Sequence, residues 1–471
     1  MASAVVTHEV ETQTPPASKP SAAGENRMPR STLTLMGILV FAAFTLILNE
    51  TLLGVALPEL MASLDIPATT AQWLTSSFML TLAVVTPTAG WVLARFSPRR
   101  VFVVAMSVFT AGTVVAAAAP GFSPLLLGRV LQASGTAIMI PLLITTILRL
   151  IPADRRGRMM GFVGLAISAA PALGPTVSGV ILQYTTWRWL FILILPIALV
   201  TLVAGARLAP REIATSTGHL DALSIVLSTV GFGSLVLGLS SLGEGTALVV
   251  DPAVLLAVGV GAVTWFVLRQ RVLARRERAF LDLRTFGTRA YRLAVVLTSV
   301  TLATLLGVAV ILPLFTVGTL GLSPLSTGLM LLPGALVMGG LGPVVGGLSD
   351  RVGARPLVIP GALVFTAAMW LMSTFGPATE PWTIVTAHVL MSVGIVLVNT
   401  PMMNVGLGSL PMPLYSHGSA ALTTFQQVAG AAATAGFVAL LTVDVGLAFR
   451  AAAVLSVVTV GVALRLPRHA R

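Results

Sequence analysis

Glu50 interrupts an otherwise apolar run, from Thr34 to about Leu57, that is long enough to cross a bilayer. A carboxylate at that depth costs about 3 kcal/mol to insert, and such groups are usually kept for function. It can gain and lose a proton, which is the chemistry a proton-driven transporter needs. The structural alternative is a Glu that only packs or hydrogen-bonds in a hydrated cavity. Arg129 is the one cation well inside an apolar run. It needs a partner or water, or else it snorkels to an interface. Gln132 follows three residues later and shares its helical face.

The elements that carry these groups are long and apolar. The 471 residues are 56% hydrophobic and only 9% charged, against about 25% charged in soluble domains. The fold class is an all-α polytopic membrane protein. Fourteen candidate spans follow from the run lengths: 34–57, 70–93, 101–119, 123–148, 159–182, 187–206, 220–242, 251–268, 291–318, 324–348, 355–374, 382–405, 417–442 and 446–464. Two sets of six flank a central pair. This predicts a disordered tail at 1–33, a first half at 34–206, an inserted pair at 207–268, a basic amphipathic connector at 269–290, a second half at 291–464 and a short tail at 465–471. The first tail lacks the apolar core of a signal peptide.

The net charge of +12 suggests nucleic acid only until its placement is read. Of 28 Lys and Arg, all but Arg129, Arg188 and Arg450 fall in tails and alternate loops that share one face. The positive-inside rule makes that face cytoplasmic, with both termini on it, in a plasma membrane. The partner is therefore the lipid bilayer, and no nucleic acid is expected. The basic stretch Arg269–Arg292 carries Phe280, Leu281 and Phe286, and reads either as a segment resting on anionic headgroups or as an ordinary basic loop. The chain has no cysteine, and its five histidines lack metal-ligand spacing. There is no phosphate-binding G-x-x-x-x-G-K-[ST] loop, so ATP is not the driver. No cofactor or metal is expected, and no enzyme constellation of His, Asp and Ser lies at membrane depth.

One internal repeat is legible. GWVLARFSPRR runs from Gly90 to Arg100, and GGLSDRVGAR runs from Gly346 to Arg355. Each has Gly leaving a helix and then Arg, a small turn residue and Arg. Asp221, in HLDALS, suits the N-terminus of the seventh span. Ala170, Gly174 and Ser178 recur every four residues on one face of the fifth, which lets a neighbour approach closely. Pro171 and Pro175 remove backbone donors there.

These segments, with LNETLLGVALP from Leu48, QWLTSSFML from Gln72, GRVLQASGTA from Gly128, GLAISAAPALGPTVSG from Gly164 and GSAALTTFQQVAGA from Gly418, resemble the fourteen-helix drug:proton antiporter branch of the major facilitator superfamily. The resemblance covers both halves. It implies alternating access by two six-helix halves, with two additional central helices, and export of lipophilic cationic or neutral compounds in exchange for protons. A transporter dedicated to one metabolite or endogenous antibiotic is the alternative. The resemblance implies proton coupling at Glu50 and Arg129. It implies gating through Gly90, Arg95, Gly346, Asp350, Arg351 and Arg355. It also implies an antiporter motif at Pro171, Gly174, Pro175 and Gly179, where plain helix packing is the structural alternative. Candidate substrate contacts are Asn49, Gln72, Trp73, Gln132, Asn399, Gln426 and Gln427, with Asn404 and several methionines as adaptable surface. A monomer is expected. The chain departs from the family pattern at Ala94, where an Asp is usual, and at Glu50, where the acid has moved one place from Asn49.

Overall fold

A computed structural model describes residues 30–208, 221–244, 250–276, 278–441 and 443–467. The described residues form helices α1 (Arg30–Leu64), α2 (Ala68–Val85, continuing through a 3-10 turn at Thr86–Thr88 into Ala89–Arg95), α3 (Pro98–Ala117), α4 (Phe122–Leu150), α5 (Ala153–Tyr184), α6 (Arg188–Leu208), α7 (Ala222–Glu244) and α8 (Pro252–Ala274). They continue as α9 (Arg289–Gly318), α10 (Pro324–Val352), α11 (Arg355–Met372), α12 (Pro381–Gly408), α13 (Tyr415–Leu441) and α14 (Val445–Ala463). Thirteen of these are long and apolar enough to cross a membrane by length and composition, and the 32-residue α5 completes the set. Helices are the economical answer in lipid, because each backbone donor finds its acceptor within the same segment.

The largest boundary differences from the sequence expectation are extensions. α1 begins at Arg30 and runs past Leu57 to Leu64, and α8 absorbs Arg269–Ala274 from the expected connector. Hydropathy marks only the apolar part of a helix, while hydrogen bonding propagates cheaply into polar flanks once a helix exists. Most of the 1–33 tail, part of the 465–471 tail, and Arg211 and His219 lie outside the described residues.

Helices α1–α6 pack into one bundle and α9–α14 into another. The bundles meet chiefly where α5 crosses α10, and α13 leans on α2 and α4. The inserted pair is a hairpin: α7 packs on α8 and also lies against both α2 and α13, so it spans the two bundles. The hairpin is pinned at the basic-loop end. Arg269 donates from Nε and Nη2 to the two Asp221 oxygens, both at 2.7 Å, and Ser224 donates to the same carboxylate. Gln270, fully buried, donates to Ser224 and accepts from the backbone N–H groups of Phe280 and Leu281. The segment after α8 is therefore a strap rather than a helix, ending in a 3-10 turn at Leu283–Gly287. Its Phe280 and Leu281 are buried in the protein instead of facing lipid.

The α5–α10 crossing relies on four glycines. A Cβ on Gly157 would lie 2.4 Å from the Gly346 carbonyl oxygen, and one on Gly161 would lie 2.2 Å from that of Gly342. Backbones this close exclude any side chain, as in small-xxx-small membrane crossings. Farther along α10 a Cβ on Gly339 would lie 3.8 Å from Leu165, an ordinary contact. The bundles are thus shut at the basic-loop end.

Two measurements test these contacts. Gly161→Val should push α5 and α10 apart, lengthening the distance between spin labels attached at Arg100 and Arg351 in this naturally cysteine-free chain; an unchanged distribution would refute the crossing. Hydrogen bonds from Arg269 hold Asp221 at about 2, below the ordinary carboxylate range, with Ser224 helping and burial opposing. A carboxylate depressed in the folded state stabilises above its unfolded pKa of about 4, and that contribution fades as pH falls toward 2. Asp221→Asn should therefore speed amide exchange at Phe280 and Leu281 about tenfold at pH 7, and the gap from wild type should close on acidification.

Candidate functional site

A buried polar network joins four helices of the first bundle. Arg129 on α4 is fully buried. Its Nη1 donates to Gln132 Oε1 at 3.0 Å, one turn along the same helix, and its Nε donates to the Leu74 carbonyl of α2 at 3.3 Å. The guanidinium also covers the Phe78 ring, 4.2 Å from its centroid, a cation–π contact that gains strength where water is excluded. Gln132 Nε2 in turn donates to Thr113 Oγ1 of α3 at 3.0 Å and to Asn49 Oδ1 of α1 at 3.4 Å. Gln132 and Asn49 are both buried. Snorkelling is thereby excluded for Arg129, because its head has protein partners and no exposure.

Local sequence explains the spacing. Gly112 and Gly128 face each other so closely that a Cβ on either would lie within 2.8 Å of the other's carbonyl oxygen. That approach brings α3 against α4 and puts Thr113 in reach of Gln132. Leu74, Phe78 and Thr113 were not singled out in the sequence. A backbone carbonyl gives no sequence signal, and a membrane Thr ordinarily bonds its own helix, as Thr113 also does at Phe109.

Glu50 follows Asn49 on α1 and is half-buried. Arg129 donates to Leu74 and Gln132, and no ion pair within 4.0 Å joins it to Glu50 among the described residues. The two opposite charges still act on each other through a low-dielectric interior. The carboxylate is thus free of direct protein donors among the described residues yet lies within the field of a buried cation.

The gating candidates separate into two groups. Asp350 on α10 crosses to the other bundle, where its oxygens accept from the backbone N–H groups of Gly157 at 2.8 Å and Arg158 at 3.0 Å. Asn404 Nδ2 donates to the same carboxylate at 3.2 Å. Among the described residues neither Arg351 nor Arg355 pairs with Asp350, and Arg351 is exposed. Adjacent residues diverge by about 100° around a helix, so Asp350 and Arg351 cannot face the same neighbour. Gly346 is part of the glycine crossing. Gly90 lies beneath His417 of α13 and Leu281 of the strap, where a Cβ would be 3.1 and 3.2 Å away. Arg95 rests 5.7 Å from the Trp91 ring.

Other bonds between the bundles join the same end. Thr145 and Ser419 share a hydrogen bond at 2.9 Å, and Arg156 donates to the Tyr415 hydroxyl at 3.4 Å while capping the Leu148 and Ile151 carbonyls of α4. Gly157, Asn404, Thr145 and Ser419 carried no legible sequence signal as gate residues, because each is a common helix residue whose partner is 54 or more positions away.

In the segment that the resemblance marks as an antiporter motif, Gly174 touches Thr51 of α1, where a Cβ would meet Oγ1 at 2.2 Å, and Thr51 donates to the Ala170 carbonyl at 3.5 Å. The stripe of small residues therefore faces α1, the helix that carries Glu50. α5 runs unbroken through Pro171 and Pro175, whose side chains lie outside those described, and Gly179 is open. The substrate candidates do not form one cluster. Gln132 and Asn49 belong to the buried network, and Asn399 accepts from Thr301 at 2.7 Å within the second bundle. Gln72, Trp73, Gln426 and Gln427 are half-buried on α2 and α13.

The fold has counterparts among known proteins. The human organic anion transporter MFSD10 superposes with a TM-score of 0.67 over 92% of this chain and 99% of its own, at 14% identity, a likeness of fold alone. An uncharacterized MFS-type transporter, YcnB of Bacillus subtilis, is 39% identical over 88% of this chain and 87% of its own length. The lincomycin resistance protein LmrB of Listeria monocytogenes is 38% identical over 86% of this chain and 85% of its own. Residues 39–434 match the family model of the Major Facilitator Superfamily, so the chain belongs to that superfamily of membrane transporters, which are not enzymes, and within it to the drug-efflux branch.

Proposed function

We propose that this protein is a proton-coupled antiporter that exports lipophilic, cationic or neutral drugs from the cytoplasm by alternating access, with Glu50 as the proton carrier. The observation that carries the reading is a half-buried Glu50 carboxylate on the helix bonded, through Asn49, to the network of the fully buried Arg129, with no ion pair between the two among the described residues. Resistance to lincomycin, in the printed name of a 38% identical relative, supports drug export as the task.

The chemistry follows from charge balance. When Glu50 is ionised it offsets the Arg129 charge across the gap between α1 and α4. When Glu50 is protonated that offset disappears, and the guanidinium is left to Gln132, the Leu74 carbonyl and the Phe78 face. Each protonation state therefore favours its own arrangement of α1 against α4, and the difference couples proton binding to helix movement. Asn49 transmits the change because it is bonded to Gln132 and adjoins Glu50. The Gly174–Thr51 contact carries it on to α5, which bears the glycine crossing with α10.

On this reading the basic-loop end faces the cytoplasm, and the observed conformation is closed to it. In that state a proton enters Glu50 from outside as substrate leaves. The protonated carrier then opens Asp350 from the α5 amides, releases the proton inward and takes up its next substrate. Asp350 suits this role because its bonds to backbone N–H groups break and reform without separating an ion pair. The protein works in the plasma membrane, as a monomer, and exchanges protons for amphiphiles through the bilayer.

Two experiments test the reading. In a pump-deficient bacterium expressing this chain, ethidium efflux should be abolished both by a protonophore and by Glu50→Gln at equal expression. Efflux that survives Glu50→Gln makes the carboxylate structural, and no efflux of any dye by the wild type favours a dedicated metabolite exporter. Arg129→Lys keeps the charge but loses the planar fork that reaches Gln132 and Leu74. Efflux should fall at least tenfold while the protein still folds; wild-type rates with Lys would show that charge alone suffices.

A further inference from the structure

The strap leaves a cavity of about 760 Å³ at the basic-loop end, between α8, the Leu283–Gly287 turn and α13. Its lining is mixed in chemistry: Arg271, Arg275 and Arg284 are cationic, and Val267, Phe286 and Phe425 are apolar. Arg271 on α8 and Arg275, which caps its C-terminus in helical conformation, stand one turn apart, so both point to the same edge of the opening. Both are exposed, and among the described residues no carboxylate pairs with either. Arg284 is held in place by a fork to Asp282, Nη2 to Oδ2 at 2.6 Å. Three cations and one carboxylate leave the rim positive.

The apolar lining residues adjoin exposed apolar helix surface. α8 is the least buried of the membrane-length helices, with Trp265, Leu268 and Val272 more than half exposed. Phe425 of α13 is 47% exposed and meets the Phe286 ring edge-on at 5.3 Å. The cavity thus has a cationic rim at the water boundary and an aromatic floor that continues into the apolar flanks of α8 and α13.

We propose that this cavity is a binding site for an anionic phospholipid. Arg271 and Arg275 take the headgroup phosphate, and the acyl chains lie along α8 and over Phe425. Guanidinium groups match phosphate geometry with paired donors, and a free anion would leave the aromatic floor unused. The bound lipid joins the hairpin, the strap and the second bundle, since the cavity walls come from all three. The site does not depend on what the protein transports or on proton coupling.

The test uses the purified full-length protein. Native mass spectrometry compares retention of phosphatidylglycerol with that of phosphatidylcholine of the same chains. Wild type should prefer phosphatidylglycerol. Arg271→Ala with Arg275→Ala should lose that preference by about ten- to thirtyfold, at about 1 kcal/mol for each Arg near an anionic headgroup. Lys at both positions should restore part of it. Arg99→Ala with Arg100→Ala, which removes two basic-loop charges elsewhere, should leave it unchanged. The proposal fails if the double Ala variant keeps the preference, if the Arg99/Arg100 variant loses it equally, or if millimolar inorganic phosphate displaces the lipid. A second readout needs no variant: a photoactivatable phosphatidylglycerol should label the peptides around 267–287 and Phe425, and labelling confined to other helices would overturn the assignment.

Discussion

A guanidinium with no access to water is the constraint on which the first bundle depends. Arg129 cannot lose its proton and cannot reach a headgroup, so its donors must be met inside the protein. Meeting them recruits the Leu74 carbonyl from α2, Gln132 from its own helix and the face of Phe78. Gln132 then needs partners of its own and takes Thr113 from α3 and Asn49 from α1. One charge thereby sets the spacing of four helices. Glu50 inherits its position from that arrangement, one residue past Asn49 and in the field of the cation that organised it.

Closure between the bundles rests on different physics. It uses backbone contact at four glycines and a carboxylate that accepts backbone amides, with hydroxyl pairs beside them. Lipid gives helices little hydrophobic reason to associate, so close packing and hydrogen bonds must hold them. Both kinds of contact are short-ranged and reversible. They suit an interface that separates and reforms, which on the proposed mechanism happens once in each transport cycle. With Ala94 in place of an acid, the first loop motif brings Gly90 to the seam, while the carboxylate that crosses between the bundles comes from the second copy, at Asp350.

The inserted hairpin is more than a spacer between the halves. α7 lies across α2 and α13, and the strap that follows α8 places Leu281 against Gly90 and His417 at the seam. Asp221, which the sequence marks as a helix-start residue, also forms the bidentate pair that fastens α7 to α8. Gln270 completes the fastening by holding the strap through two backbone amides.

Much of this molecule was legible before any coordinates. Apolar run length determined the helix class and number, because lipid permits few alternatives to a helix of about twenty residues. The isolated charges Glu50 and Arg129 marked the candidate site, since a charge at that depth stands out against an apolar background. The Gly90–Arg100 and Gly346–Arg355 repeat marked loops that flank the seam between the bundles. What the sequence could not express was pairing between distant positions. Nothing local to Arg351 shows that Asp350 turns away from it toward Gly157, because facing is decided by helix rotation against a neighbour. Nothing local to Thr113 or Leu74 announces a partner for Gln132 or Arg129. The strap read as a segment on anionic headgroups or an ordinary basic loop, whereas its Phe280 and Leu281 are buried and bonded through their backbone N–H groups to Gln270. The sequence determined which groups lie in the membrane and in what order. The tertiary structure decided which of them touch, because hydrogen bonds and backbone contacts act over about 3 Å and depend on how separate helices rotate and cross.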